Sequence, residues 1–407
     1  MKIQSILLDE RIGAANVLVD LTIKEYLAVA SDITDNNEFQ RRKVIKSKIK
    51  EILREDLLKG CSIPPIVLSI KTDSLGEDFN YKTFSATDID HILKAFEEKT
   101  LLIIDGLQRT YVMLGIEEEL QREEKLHGKK SEVFEKFLEQ KIRAEIYVGL
   151  DRLGILYRMI TLNTGQTTMS TRHLMEILYF DYRQTGIDDI KFVTDKQGDV
   201  IQANTNEFNF KDALDGFNSY LEKDENLFER TEILDNIKTL NTLAKEEYKK
   251  DLFKEFMITY KKLLDAFVTY SQDWKYNPED FNISELAIKA LPFGKSIVEI
   301  FKRSQALTGF GAAVGYLKVN RELTIDDFNK MMDSLNEKGG DFDYGFKLIL
   351  KYLDIIRDKS KKIGNDQRFF FRHVFEFLFD PNSESHLIFD QAVESAFNKT
   401  RSEKLPK

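Results

Sequence analysis

A change of pattern near residue 205 constrains this chain more than any other feature. Before it, short apolar runs alternate with amphipathic stretches; beyond it, helical periodicity continues with few breaks toward the C-terminus. Three runs read as strands. SIPPIVLSI, at 62–70, opens on a Pro pair and suits a strand entered from an extended segment. TLLIID, at 100–105, is short, apolar and buried in character, and KIRAEIYVGL, at 141–150, alternates well enough to be a third. Helical spacing covers much of 22–60, where Val44, Ile45, Ile49, Ile52, Leu53 and Leu57 share one face and Gly60 follows as a C-cap. It returns in 88–99, after Gly106, in 151–163 and in 169–184. KFVTDKQGDVIQA, at 191–203, predicts a β-hairpin turning near Gly198. The expectation is an α/β domain over 1–190, then a mostly α-helical domain over 191–407 with that hairpin near its start. The closing residues TRSEKLPK are expected to fray.

A chain of 407 residues is long for a single core, which agrees with two domains. Only 6 prolines and 20 glycines argue for long helices and against a loop-rich sandwich. The single cysteine, Cys61, excludes an internal disulfide framework and a Cys-rich zinc site, and is compatible with a reducing compartment. MKIQSILLDERIG is interrupted by acids and does not read as a signal peptide, and no run approaches the roughly 18 apolar residues of a membrane span. A cytoplasmic location without membrane contact is therefore expected.

The net charge of −9 does not favour phosphate-backbone binding by the whole surface, but it leaves room for a local basic face. One such stretch is RRKVIKSKIKEILR, where Arg41, Arg42, Lys43 and Lys46 form either a solvated helix face or a contact for DNA or an acidic partner. In 357–373, cations adjoin Phe369, Phe370 and Phe371, which could stack on bases but read better as core. TGFGAAVGYLK, at 308–318, lacks the spacing of a phosphate-binding Walker loop, and its small residues suit close helix packing. The five histidines are scattered, with no HExxH, HNH-like cluster or GxSxG, so a zinc hydrolase, a nuclease and a serine hydrolase are disfavoured. His173, in a first helical turn, reads as a surface or capping residue.

The chemistry concentrates in LLIIDGLQRT, residues 101–110. An apolar strand delivers Asp105 and Gly106 to the start of a helix, whose first N–H groups lack intrahelical acceptors and attract anions. Gly106 permits positive φ and close approach of another group. Arg109 adds a fixed planar cation able to hold phosphate or carboxylate through two hydrogen bonds. Asp105 can orient Arg109, accept from a ribose hydroxyl, or help to hold a divalent cation. Gln108 can donate and accept together. The plain alternative is an ordinary Asp-Gly turn with an Asp–Arg pair capping the helix.

DGLQRT after a hydrophobic strand resembles the DGQHR/DGQQR signature of a family in the ParB/sulfiredoxin-like superfamily. That family includes DndB-type proteins of DNA phosphorothioation systems and other bacterial DNA-modification and phage-defence components. IPPIVLSI resembles its upstream strand, IRAEIYVGL the following one, and LNTGQTTMSTRHL the Asn-containing turn after that. The resemblance spans about residues 1–185 and implies a ParB/sulfiredoxin-like fold. It also implies a nucleotide- or phosphate-binding set of Asp105, Gly106, Gln108, Arg109, Asn163 and Gln166, with Asn163 near a metal. Two functions follow: a nucleotide- or DNA-binding regulatory component without turnover, or an Mg²⁺-dependent NTPase in which Asp105 is catalytic. Whether the chain is an enzyme stays open. Proteins of the same locus and a second copy of the chain are the expected partners. The sequence departs from the signature at Leu107, where the family carries a polar Gln, and this favours binding over catalysis. It also lacks the reactive cysteine of sulfiredoxin in this loop, which disfavours sulfinic-acid reduction.

Overall fold

The computed structural model describes residues 1–35, 47–71, 75, 79–128, 131–162, 175–176, 178–193, 205–226, 251–282 and 285–405. They divide into two compact units, one running to Leu162 and the other starting at Met175.

The first unit runs β1 (Lys2–Asp9), β2 (Ala14–Thr22), α1 (Ile23–Asp35), α2 (Ser47–Leu58), β3 (Ile66–Lys71), α3 (Ile89–Glu97) and β4 (Leu102–Asp105). It continues through α4 (Leu107–His127), α5 (Glu132–Glu139), β5 (Lys141–Leu150) and α6 (Arg152–Leu162). Its strands form one mixed sheet in the order β1-β2-β5-β3-β4, with β3 and β5 parallel and every other pair antiparallel. The three strands expected from sequence are present. The β1–β2 hairpin was not among the expectations, because its charged turn breaks the apolar run. Its signal lay in AANVLVDLT, where buried and half-buried residues alternate with the two-residue period of a strand.

Register explains how the sheet buries one face. Ile66, Leu68 and Ile70 lie opposite Ala144, Ile146 and Val148, which lie opposite Val19, Val17 and Ala15. All nine join a core with apolar residues of α1 to α5, including Tyr26, Leu57, Ile92, Met113 and Phe137. Tyr147 belongs to the opposite face, where α6 packs against β4 and β5 and sets Arg158 4.9 Å from the centre of the Tyr147 ring. Gly60 ends α2 at φ +80°, as the C-cap expectation required. The apolar stripe of α2 is narrower than expected: Leu57 is buried, but Ile52 is exposed. Val44 and Ile45 lie outside the described residues.

The second unit begins earlier than residue 191. Tyr179 packs on Phe253 at 4.6 Å between ring centroids and on Phe217 at 5.5 Å, which brings α7 (Phe180–Thr185) with it. Next come β6 (Lys191–Val193), β7 (Glu207–Asn209), α8 (Phe210–Glu222), α9 (Leu252–Tyr270), α10 (Ile297–Phe301) and α11 (Ser304–Asn320). α12 (Ile325–Asp333), α13 (Phe342–Lys359), α14 (Ile363–Phe379) and α15 (Phe389–Glu403) complete it. Of the hairpin expected at 191–203, residues 194–203 lie outside the described residues. β6 itself pairs with β7, and in parallel, an arrangement that a tight hairpin turn cannot close.

Small residues allow the helices of this unit to touch backbone to backbone. On α11, a Cβ at Gly311 would overlap the carbonyl oxygen of Gly216 on α8, and one at Gly309 would lie 2.6 Å from Phe371 Cβ on α14. Phe369, Phe370 and Phe371 are buried as core, not offered to a ligand. The C-terminus does not fray from residue 400 as expected. α15 reaches Glu403, Thr400 is fully buried, and Phe397 stacks on Tyr352 at 3.9 Å. Among the described residues, no helix is long and apolar enough to cross a membrane.

Candidate functional site

β4 ends on Asp105, and α4 starts at Leu107, with Gly106 alone forming the corner at φ +101° and ψ 5°. That conformation suits glycine, and an added Cβ would stand 2.7 Å from Ile66 Cδ1 and 3.2 Å from Arg109 Nη2. The turn therefore lets the Arg109 side chain fold back over its own helix start. Arg109 Nη2 donates to Asp105 Oδ2 at 2.5 Å, and Nη1 donates to the Pro64 carbonyl at 3.3 Å. The Arg109 and Asp105 side chains are 15% and 23% exposed, so both are held yet reachable from solvent.

Behind the turn, a buried relay fixes its backbone. Thr110 donates through Oγ1 to the Gly106 carbonyl at 3.0 Å, and its N–H donates to the same oxygen at 2.9 Å. With the threonine proton so engaged, the Tyr26 hydroxyl is the donor in its 2.7 Å bond to Thr110 Oγ1. Burial pushes the Tyr26 phenol well above its ordinary value, against smaller opposing effects of Thr110 and Arg109. Tyr26 therefore remains a neutral donor, and α1, α4 and the Gly106 corner are tied together.

Four of the six residues expected at a phosphate site, Asp105, Gly106, Gln108 and Arg109, thus occupy one corner and the first turn of α4. Gln108 is half-buried. Asn163 and Gln166 lie outside the described residues, as do His173 and the basic residues Arg41, Arg42, Lys43 and Lys46. Leu107 is buried in the core of the first unit. Its side chain packs in that core, so a polar residue there would enter an apolar environment. Sequence reasoning missed Tyr26, Thr110 and Pro64 as supports. Thr110 sat within the motif, but nothing in TIKEYLAVASDI marks Tyr26 as its partner.

The donor set does not by itself make a magnesium site. Asp105 is the motif's one carboxylate and already pairs with Arg109, and the described residues hold no group of three or more His, Cys, Asp or Glu suited to a metal. No step through a metal follows from this geometry. The corner offers a paired guanidinium, a half-buried amide and a helix N-terminus, which together can receive an oxyanion.

A second polar group lies across the sheet. Arg158 of α6 pairs with Asp9 of β1 and lies over Tyr147 of β5, and Asn16 Nδ2 of β2 donates to Glu145 Oε2 at 3.4 Å. Burial pushes the Tyr147 phenol up, and Arg158 partly opposes this. The Arg158 contacts fasten α6 to the sheet, and the Asn16–Glu145 bond joins β2 to β5. Comparison of the chain with family models, with curated proteins and with solved structures returns no match.

Proposed function

We propose that this chain is a nucleotide- or DNA-binding regulatory component of a bacterial DNA-modification or phage-defence system, with the DGLQR corner as its phosphate site. On this reading the first unit is a ParB/sulfiredoxin-like domain working in the cytoplasm with proteins of the same locus. The observation that carries the reading is Arg109, held by Asp105 and the Pro64 carbonyl directly over the start of α4. A phosphate oxygen at that helix start would meet backbone N–H groups and the guanidinium together, where the helix dipole favours negative charge.

The same geometry favours binding over turnover. Asp105, the motif's one carboxylate and so its candidate base, already accepts from Arg109, and with Leu107 buried Gln108 is the one other polar group between them. The test is a thermal-shift screen with the four ribonucleoside triphosphates and with duplex DNA, each with and without Mg²⁺, run beside a phosphate-release assay. A rise in the unfolding midpoint without release supports a binding role. Release that vanishes in Asp105→Asn would replace this reading with the Mg²⁺-dependent NTPase. Neither shift nor release would contradict both.

A further inference from the structure

β1 stands at one end of the sheet, and among the described residues it pairs with β2 alone. Along such an edge, alternate residues aim their N–H and C=O groups outward, where a further strand can take them up. Exposed edges are ordinarily blunted by charge, by proline, by a bulge or by short length. β1 is 8 residues long, and from Ile3 to Leu8 it carries neither charge nor proline. A register irregularity between Ile3 and Ser5 disturbs its first half and leaves Ser5 to Asp9 regular. In that regular half, Leu7 is 67% exposed and Leu8 47%.

The two leucines point to opposite faces. Ile6 and Leu8 lie opposite Val17 and Ala15 on the core face, whereas Ser5, Leu7 and Asp9 lie opposite Leu18, Asn16 and Ala14 on the other. A helix or a lipid surface laid on one face would cover one leucine and leave the other bare. A strand added beside β1 covers both.

The run is also complementary to itself. In an antiparallel pair turned about Leu7, Leu7 opposes Leu7 of a second copy, Ile6 opposes Leu8, and Ser5 opposes Asp9. Apolar meets apolar, a hydroxyl donor meets a carboxylate, and no like charges face each other. Asp9 pairs with Arg158 within the chain, and a carboxylate has further lone pairs for that hydroxyl. Turning about Ile6 or Leu8 instead sets Leu7 against Ser5 or against Asp9. We propose that two copies of this chain associate through β1, joining their sheets edge to edge about a two-fold axis at Leu7. β4, which carries Asp105, is the opposite edge of the sheet, so this interface does not depend on the phosphate reading.

Sedimentation velocity of the full chain from about 1 to 200 µM should show a reversible monomer–dimer equilibrium with a Kd of about 1–100 µM, as suits a small interface. Leu7→Lys sets two ammonium groups against each other at the axis and should weaken association at least about tenfold. Its circular dichroism and urea midpoint should change little, because the side chain is exposed. In a Cys61→Ser background, Leu7→Cys should give an oxidised dimer, since residues opposed at the axis have Cα atoms about 4.5–5.5 Å apart. Ser5→Cys should not, since the two copies of that position would stand about 14 Å apart. A chain that stays monomeric to about 200 µM overturns the proposal and leaves the edge to a strand of a different protein. A dimer that Leu7→Lys does not weaken, or that Ser5→Cys cross-links as readily as Leu7→Cys, overturns it equally.

Discussion

A methyl group at Gly106 would sit 2.7 Å from Ile66 Cδ1 and would have to be carried at φ +101°. The end of the Ile66 side chain can move, but the backbone conformation cannot be relaxed without turning β4 away from α4. Gly106→Ala should therefore cost about 1–3 kcal/mol of stability, read as a lower urea midpoint, and should weaken any ligand held by Arg109. An unchanged midpoint would show that the corner tolerates a side chain. Lys302 offers a second test at this scale. It is 5% exposed beside the Phe208 ring, and burial pushes its ammonium down to about 8, with Glu207 opposing. Between that value and the ordinary 10.5, the unfolded chain holds more protons than the native one, so this residue's contribution to stability rises with pH. Wild type should gain stability relative to Lys302→Met from about pH 8 to 10, and a flat difference would contradict the burial effect. At this scale Asp105, Gly106 and Arg109 were legible because a strand, a glycine and a helix start are local signals. The role of Tyr26 was not, because its partner Thr110 lies 84 residues away.

Glycines divide the helices into two kinds, and substitutions should separate them. Gly115 lies inside α4 with nothing within 4 Å of an added Cβ. Gly115→Ala should stabilise the chain by about 0.5–1 kcal/mol through helix propensity alone. Gly311 on α11 faces the Gly216 carbonyl, so Gly311→Ala must push two helices apart and should destabilise by about 1–3 kcal/mol or more. Urea unfolding of both variants should show midpoints moving in opposite directions; a shared direction would mean that close packing at Gly311 is unimportant. The close-packing role of 308–318 was readable from its small residues, as were β3, β4 and β5 from their apolar runs. The pairing of β6 with β7 was not readable, since parallel partners are set by contacts far from either strand. The β1–β2 hairpin was readable in principle, from the alternation in β2, but Glu10 and Arg11 at its turn obscured the pattern.

Across the whole molecule, the change of pattern near residue 205 anticipated an α/β part followed by a helical one. Where the units divide was less legible, because the residues just before 191 look like more of the same helices. Their packing assigns them to the second unit: Tyr179 on Phe253 and Phe217, Tyr182 on Phe253, and Asp188 and Asp189 paired with Lys254 and Lys261. Net charge of −9 makes a diffuse electrostatic attraction for nucleic acid improbable, so phosphate binding has to come from a small built site. That is the role proposed for the corner of β4 and α4, and Arg109 is the group it cannot spare. The most direct measurement is an anisotropy titration of wild type and Arg109→Ala with a labelled nucleoside triphosphate and a labelled DNA duplex, with circular dichroism of both proteins. The account predicts binding by wild type to at least one ligand and at least a ~10-fold loss in the variant, with the helical spectrum retained. Equal affinity in the two proteins, or no binding by wild type, would contradict it.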